Sequence, residues 1–340
     1  MNYQHLIEAE RYQMQGFLEE GVLQSGIARR LHRAASTIGR EIERNAGVQG
    51  YQAKAAEGPA QQRRQVASSQ PRIDAAAWAQ IDVQLQEGWS PEQVAGRQRQ
   101  QGGPTVSPER MYQHIAADHK AGGTLWTHRR FGKPRRRRLP RRATRFRDGK
   151  PLSERPVAAL DRVTLGHWEG DTMVGVGLSR LVTLVERHSR FVVVVPVKDG
   201  CAETVLAAIL HGLYPWQSAV PGCVTSIAWD NGSEFARHAV LDLALGCTSY
   251  FARPYASWER GSNENANGLI RQYAPKKTDL GMLTDDQVQR IADRLNDRPR
   301  EVLAFRTPRE VFEASLIAMQ RQQKNRCLRK ARAVAQVQRE

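Results

Sequence analysis

Residues 165–174 read LGHWEGDTMV, and residues 181–197 read LVTLVERHSRFVVVVPV. β-Branched and other apolar residues dominate both stretches, which is typical of β-strands. His188 and Ser189 divide the second stretch into two apolar runs, and this pattern predicts a hairpin. The chain therefore predicts one strand within 163–174 and, after it, a hairpin of two strands. The hairpin strands are expected at 181–186 and 190–197.

The residues after this hairpin continue the alternation of strands and helices. Residues 201–213 place their apolar side chains on one helical face, and residues 224–230 are typical of a strand. The order of strand, hairpin, helix, strand and further helices indicates a mixed α/β domain in which helices flank a central sheet. The further helices are expected at about 262–273, 284–297 and 307–320.

A first helical unit lies at 24–45, where the sequence reads QSGIARRLHRAASTIGREIERN. Apolar residues four apart, such as Ile38 and Ile42, lie on one helical face. Ser36 is expected to cap the second helix of the pair. Two short helices joined by a tight turn are typical of a motif that inserts its second helix into the DNA major groove, although a hairpin that only packs has the same pattern. The side chains expected to face DNA are Thr37, Arg40 and Arg44.

A second helical unit runs from 89 to 115. Ser90 and Gln93 occupy the two positions of a capping box, and a further helix begins after Ser107. Val106 and Met111 hold the positions of a hydrophobic staple. This unit also predicts either a DNA-binding pair of helices, with Arg110 toward the DNA, or a plain helical hairpin.

The charge of the chain is strongly basic. The sequence holds 51 Lys and Arg against 35 Asp and Glu, for a formal net charge of +16. A folded protein with this balance usually has a polyanionic partner, either nucleic acid or an anionic membrane surface. Between residues 129 and 150 there are 12 Lys or Arg and one acid. We expect the densest run to bind phosphate rather than serve only as a solvated spacer. That run is Arg135, Arg136, Arg137 and Arg138.

These patterns predict an order of domains and a compartment. No stretch reaches the roughly 18 apolar residues of a membrane helix, and the four cysteines form no CxxC pair. We therefore expect a cytoplasmic protein without a zinc site or a disulfide framework. The expected parts are a first DNA-binding unit at 1–55, a linker at 56–75, a second unit at 76–120, a basic linker at 121–160, an α/β domain at 161–320 and a basic tail at 321–340.

Three carboxylates are candidates for metal chemistry. Asp171 lies in HWEGD, Asp230 in WDNGSEF and Glu264 in GSNENANGLIR. Carboxylates that converge repel one another unless a cation neutralises them, and Mg²⁺ prefers such oxygen ligands. Glu169 shares a strand face with Asp171, and Glu234 competes with Asp230, so composition alone leaves both choices open.

The stretch around Glu264 predicts an amphipathic helix. Apolar residues recur at helical spacing from Ala266 to Tyr273, and the opposite face is polar. Such a helix could present an acid, an amide and a cation to one site, or it could be an ordinary surface helix. The polar face holds Glu264, Asn267 and Arg271.

Several long strings resemble one family of bacterial enzymes. LGHWEGDTMVG, LVTLVERHSRF, WDNGSEF, SWERGSNENANGLIRQY and LNDRPREVLAFRTPREVF occur in the order found in DDE transposases of the insertion sequence thirty family. Thirty-three residues separate Asp230 from Glu264, and Arg271 lies seven beyond that glutamate, as in the family. STIGREIERN, WSPEQVAGR and VSPERMYQHI extend the resemblance to roughly residues 20–320.

The resemblance implies a ribonuclease-H-like fold, with a mixed central sheet and flanking helices, preceded by all-α helix-turn-helix DNA-binding units. It implies Asp171, Asp230 and Glu264 as the acidic triad that holds two Mg²⁺ ions, with Mn²⁺ able to substitute. Glu169 and Glu234 would then be structural. The implied reaction cuts DNA at the ends of an element and joins each 3′-OH to target DNA.

The implied partners are double-stranded DNA, as terminal repeats and target, and a second copy of the chain, because both element ends must be joined together. Asn267 and Arg271 would contact DNA, and the protein would work on the bacterial nucleoid. The competing interpretations are a catalytically inactive DNA-binding regulator, a metal-dependent nuclease that does not join, and a basic membrane-surface protein, which would need a bulky amphipathic helix.

Overall fold

The computed structural model describes residues 5–69, 73–103, 105–129, 149–253 and 261–337. It divides the chain into two compact units, Met1–Trp78 and Ala79–Glu340. The predicted phosphate-binding run, Arg135, Arg136, Arg137 and Arg138, lies outside the described residues. Among the residues that are described, no helix is long and apolar enough to cross a lipid bilayer.

The first unit is helical. Its core closes over Met14, Ile27 and Ile38, each of which has no exposed surface. The predicted pair of helices is present, joined by a turn in which His32 has a φ of 51°. The elements are α1 (Glu8–Glu19), α2 (Gln24–Arg30), α3 (Ala35–Asn45), the short strands β1 (Ala46–Gly47) and β2 (Gly50–Tyr51), and α4 (Ala53–Ser69).

Two expectations about this unit are wrong. Ser36 does not cap α3, because Ala34 already has extended backbone and the helix begins at Ala35, which leaves Ser36 inside the first turn. The stretch expected as a linker at 56–75 begins inside α4. Ala56 of this helix is fully buried, because its small side chain lets α4 pack closely against the core of the first unit.

The second helical unit belongs to the larger compact unit. Its helices are α5 (Ala75–Gln86), α6 (Pro91–Gln100) and α7 (Pro108–Lys120). The predicted capping box is confirmed, since Ser90 Oγ accepts from the Gln93 N–H at 3.3 Å and Gln93 Oε1 accepts from the Ser90 N–H at 2.9 Å. Val106 and Met111 are both buried at the start of α7, as the staple pattern predicts.

A six-stranded mixed sheet forms the centre of the α/β domain, which confirms the predicted fold class. The strand order is β3-β8-β7-β4-β5-β6, with antiparallel pairing from β4 to β6 and parallel pairing from β4 through β7 and β8 to β3. The strands are β3 (Lys150–Pro151), β4 (His167–Val174), β5 (Arg180–Glu186), β6 (Val192–Val197), β7 (Ser226–Trp229) and β8 (Thr248–Phe251).

Helices cover both faces of this sheet. One apolar core lies between the sheet and helices α8, α9 and α12, and a second lies between the sheet and helices α10 and α11. The helices are α8 (Ala202–Ala219), α9 (His238–Leu245), α10 (Gly261–Ile270), α11 (Asp285–Asn296) and α12 (Pro308–Val337). The sheet also takes in β3 from the stretch expected as a basic linker, and α12 extends through most of the expected tail.

Two tryptophans fix the strands that lead to the site. Trp168 and Trp229 are fully buried, and each indole N–H donates to an oxygen of the sheet domain, Cys223 O at 2.9 Å and Ser249 Oγ at 3.0 Å. A Cβ at Gly170 would overlap the Trp229 ring, so only glycine lets β4 carry this ring against it. The close fit sets β4 and β7 side by side.

Candidate active site

Asp171 lies on β4, and Asp230 directly follows the last residue of the neighbouring strand β7. Glu169 of β4 is paired in parallel register with Ala228 of β7, two residues before each aspartate. The carboxylate of Asp171 points to the face that α10 covers, because its Oδ2 accepts from Asn267 of that helix.

Asp171 is held in a fixed orientation. Its Oδ1 accepts from the Thr172 N–H at 2.9 Å, and its Oδ2 accepts from Asn267 Nδ2 at 2.8 Å. The other end of the Asn267 amide accepts from the buried hydroxyl of Thr183 at 2.9 Å. Both ends of the amide are thus engaged inside the domain. Asn267 thus holds Asp171 in place, and its contact with DNA stays a prediction.

Glu169 fastens α10 to the sheet. Its side chain has no exposed surface, and its Oε2 accepts from the N–H groups of Ser262 and Asn263, each at 3.0 Å. Its Oε1 accepts from Arg187 Nη1 at 2.6 Å. A carboxylate at a helix N-terminus is favoured by the helix dipole. Glu169 is therefore engaged in structure, although it shares a strand face with Asp171.

The loop after β7 carries Asp230. Asn231 Nδ2 donates to Ala252 O at 2.7 Å, which ties this loop to the end of β8, and Asp230 Oδ1 accepts from the Gly232 N–H at 3.0 Å. Glu234 Oε1 accepts from the Thr172 hydroxyl at 2.8 Å. A Cβ added at Gly232 would contact both the Glu234 and the Asp230 carboxylates, so Glu234 remains a competitor of Asp230 for a metal role.

Glu264 projects from the first half of α10 and is exposed. It lies one turn before Asn267, the residue that reaches Asp171. Within the described part of the chain, no three His, Cys, Asp or Glu side chains lie close enough together to hold a metal ion. Three like charges repel one another, so a site that brings Asp171, Asp230 and Glu264 together would need a cation. Arg271, one helical turn beyond Asn267, donates from Nη2 to Val174 O at 2.7 Å, at the end of β4.

Comparison with known proteins matches both halves of this architecture. Residues 2–45 match a helix-turn-helix domain, and residues 163–257 match an integrase core domain. Over 91% of its length the chain is 37% identical to the transposase for insertion sequence element IS1086 of Cupriavidus metallidurans, of which it covers 94%. It is 33% identical to transposase InsI of element IS30A of Escherichia coli, covering 83% of it, and 34% identical to the IS4351 transposase of Bacteroides fragilis, covering 95%.

The chain belongs to the IS30 family of transposases. It is thus a DNA transposase, a DDE polynucleotidyl transferase with helix-turn-helix DNA-binding and ribonuclease-H-like catalytic parts. The integrase core of this family implies dependence on divalent metal ions. The three competing interpretations, a regulator, a nuclease that does not join and a membrane-surface protein, are not favoured.

The predicted DNA contacts of this IS30-family chain differ in exposure. Arg40 and Arg44 are exposed on α3, and Thr37 is partly exposed beside them. Arg110 is exposed on α7, where its Nη1 donates to Gln113 Oε1 at 3.1 Å. Each of these four side chains is accessible to a ligand that binds the helical unit in which it lies.

Sequence reasoning missed residues of this transposase that position Asp171 and α10. Thr183 orients Asn267, and Asn263 Nδ2 donates to the Glu169 carbonyl at 3.0 Å and to the Thr183 carbonyl at 3.2 Å. The spacing of Asn263 and Asn267, four residues apart, was a signal that both face the same strands. Arg187 lies in the predicted hairpin, where no sequence pattern indicated a role for it. Its role is evident from its contact with Glu169.

Proposed function

We propose that this transposase binds the terminal inverted repeats of its own insertion element and cuts and joins DNA with Asp171, Asp230 and Glu264 as its metal ligands. The observation that carries this proposal is the parallel pairing of β4 with β7, because Asp171 lies on β4 and Asp230 directly follows β7. The third carboxylate belongs to α10, the helix whose Asn267 donates to Asp171. These contacts support a common site for the three carboxylates.

The donor set fits magnesium. Carboxylate oxygens are hard ligands, and Mg²⁺ binds through few carboxylates together with phosphate oxygens. We propose two ions, for which Mn²⁺ can substitute. When bound, such ions activate the attacking oxygen and stabilise the leaving oxygen of a phosphodiester. Asn267 and Thr172 leave Asp171 little freedom to rotate, so this ligand is oriented before DNA arrives.

Other side chains of the domain act on the DNA itself. Arg271 is held at the end of β4 by the Val174 carbonyl, close to the shared edge, and its charge attracts a phosphate there. No group in this scheme needs a nucleotide triphosphate, because each joined phosphodiester replaces one that is broken.

Recognition is proposed for the helical units. Arg40 and Arg44, with Thr37, are exposed on α3 and suit a major groove. Arg110 on α7 supplies a further contact, and the arginines at 135–138 would grip the DNA backbone. Because two element ends are joined in one event, we propose that the transposase acts as a homodimer or larger homo-oligomer on DNA in the bacterial nucleoid.

A strand-transfer assay tests this proposal. The duplex carries the inverted repeat that flanks the coding sequence of this chain, and the reaction adds a target plasmid and Mg²⁺. We expect joined product from the wild type and none from Asp230→Asn or Glu264→Gln, with DNA binding retained in both. Glu203→Gln is the matched control, because Glu203 is exposed on α8 and pairs with Arg237 there. Glu234→Gln tests the competing acid, and both variants should still join.

Each other outcome identifies an alternative. Cutting without joining by the wild type indicates a nuclease, and binding without either reaction indicates a regulator. Loss of joining in Glu234→Gln with activity in Asp230→Asn would transfer the ligand role to Glu234.

A further inference from the structure

A second site lies on the other flank of α10. A cavity of about 340 Å³ opens beside the first turns of this helix, where Ser262, Asn265 and Ala266 form part of its wall. Glu264 and Asn267 are not among its lining residues. The cavity is therefore separate from the carboxylate edge but attached to the same helix. We call it the arginine cavity, because Arg162, Arg190 and Arg300 also line it.

Among the described residues that line the arginine cavity, three are arginines and none is acidic. The two acids nearest in the sheet are engaged elsewhere. Glu169 is bonded to Arg187 and to the start of α10, and Glu186 accepts from the Ser189 N–H and hydroxyl, each at 2.6 Å. Burial, and after it the nearby guanidinium of Arg162, lower the pKa of Arg190. The guanidinium groups of Arg162 and Arg190 thus repel each other.

The backbone holds two of these arginines in an unfavourable conformation. Arg162 has a φ of 54° and Arg190 a φ of 63°, in the left-handed region that glycine and asparagine tolerate far better. Each residue lies in a turn where a smaller residue would fold more easily. Non-glycine residues in this region concentrate at ligand sites, because the side chain they present is needed there.

The volume of the cavity and the chemistry of its lining residues also suit one kind of ligand. Apolar carbons of Val185, Val192 and Leu269 line the cavity beside the three guanidinium groups. Arg190 Nη1 donates to Ser262 Oγ at 2.7 Å, which fixes that guanidinium at the start of α10. A cavity near the lower end of the usual range for small ligands accommodates a phosphate together with its sugar. The guanidinium groups suit the phosphate, and the apolar side chains beside them suit the sugar.

We propose that the arginine cavity binds one phosphate of the DNA backbone, with its sugar against the apolar floor, on a strand that passes α10 away from the scissile bond. This inference depends on the proposed function only for the sequence of the DNA. Because the cavity is attached to the helix that bears Glu264, the contact fixes the strand relative to the catalytic carboxylates.

A methylphosphonate scan tests the proposal by binding alone. One backbone phosphate at a time is made neutral in the terminal-repeat duplex, and the dissociation constant is measured without divalent metal. We expect the wild type to lose roughly tenfold in affinity at one or two positions. Arg162→Asn and Arg190→Asn should bind the unmodified duplex roughly tenfold more weakly, with the salt slope reduced by about one, and should no longer respond at those positions.

Asparagine is chosen because it adopts the left-handed conformation, so the fold is preserved. Lys277→Asn is the matched control: Lys277 has a φ of 74°, is exposed and is not among the residues that line the cavity. This variant removes the same charge and should keep the wild-type response at the cavity positions.

The proposal is overturned if both arginine variants keep the wild-type pattern across the scan. It is also overturned if inorganic phosphate does not displace the duplex and no neutralised position weakens binding by the wild type. Failure to cut or join would refute the proposed function without touching this result, since the scan measures binding only. Equal affinity for a scrambled duplex would refute terminal-repeat recognition and leave the loss of response in the variants as the test of the cavity.

Discussion

The two helical units look alike in sequence but are built differently. The first unit closes a core of its own around a buried charge. Arg11 is 2% exposed, and its guanidinium lies 2.6 Å from Glu41 and 2.6 Å from Glu57. It also donates to Leu6 O at 3.0 Å. Every partner of this arginine belongs to the first unit, so α1, α3 and α4 are held together without help from the catalytic domain.

The second unit instead packs its α6 helix on the catalytic domain. Gln93 donates to Pro299 O at 2.8 Å and accepts from Arg298 Nε at 2.9 Å, and Arg97 forms an ion pair with Glu310. A Cβ at Gly96 would overlap the ring of Phe305. The loop that supplies these contacts lies within the string LNDRPREVLAFRTPREVF.

The difference teaches that one helical pattern serves two purposes. In the first unit, the exposed face of α3 is available for DNA. In the second, α6 packs on the catalytic domain, and α7 exposes Arg110 as a candidate DNA contact. The second unit therefore fixes a candidate DNA contact at a set distance from the active site.

The largest expected effect is a loss of stability in the first unit alone. Arg11→Ala leaves the partly buried carboxylates of Glu41 and Glu57 without their cation, and removing one partner of a buried network costs up to about 3–5 kcal/mol. Hydrogen exchange on the full chain should show lost protection at residues 5–69 and unchanged protection in the sheet. Glu20→Gln is the control, because the Arg30–Glu20 pair is exposed at 3.7 Å and contributes less than about 1 kcal/mol. Equal loss in both units would refute the independence of the first core.

Acid should destabilise the two units at different pH. Burial lowers the pKa of His167 in the catalytic domain to about 4. Between about pH 6.5 and 4, the unfolded chain therefore binds a proton at this histidine, whereas the folded domain does not. Stability is complete above about pH 6.5 and falls by about 3 kcal/mol as the pH drops toward 4. In the first unit, Arg33 holds the pKa of Glu10 below its usual value, so that contribution is lost only in more acidic solution.

Exchange protection measured from pH 7 to pH 4 checks this order. His167→Gln should flatten the response of the sheet between pH 6.5 and 4. An unchanged response in that variant would show that another group titrates.

The sequence predicted most of the domain that carries the triad, and the reasons for the failures are physical. The long apolar runs of β5 and β6 and the helical spacing in α10 are local patterns. β8 and α9 were missed because four and eight residues leave too little periodicity to read. The role of Glu169 needed the register of the sheet, and the contact of Gly96 with Phe305 joins residues far apart in the chain, which no local pattern encodes.

A smaller effect should separate the second unit from the catalytic domain. Gly96→Val forces its side chain into the Phe305 ring, and overpacking of this kind costs about 1–3 kcal/mol. Protection should fall in α6 and at 298–310 and stay unchanged in the first unit. Phe305→Ala should relieve the clash when combined with Gly96→Val. Gly16→Val is the control, since a Cβ there meets nothing within 4 Å.

The smallest expected effect concerns the exposed arginines, and it decides which unit reads DNA. Arg40→Ala and Arg44→Ala change no buried contact, so folding stability should stay within about 0.5 kcal/mol of the wild type. Binding to the terminal repeat should weaken by about 1 kcal/mol or more for each variant. A variant that contacts a base should lose its preference for the repeat over a scrambled duplex, whereas one that contacts phosphate should weaken both equally. Because α7 is held against the catalytic domain through α6, Arg110→Ala should also change where the DNA is cut, a change that Arg40→Ala should not produce. If Arg110→Ala leaves both affinity and cleavage position unaltered, the second unit is a structural support and the first alone recognises the element.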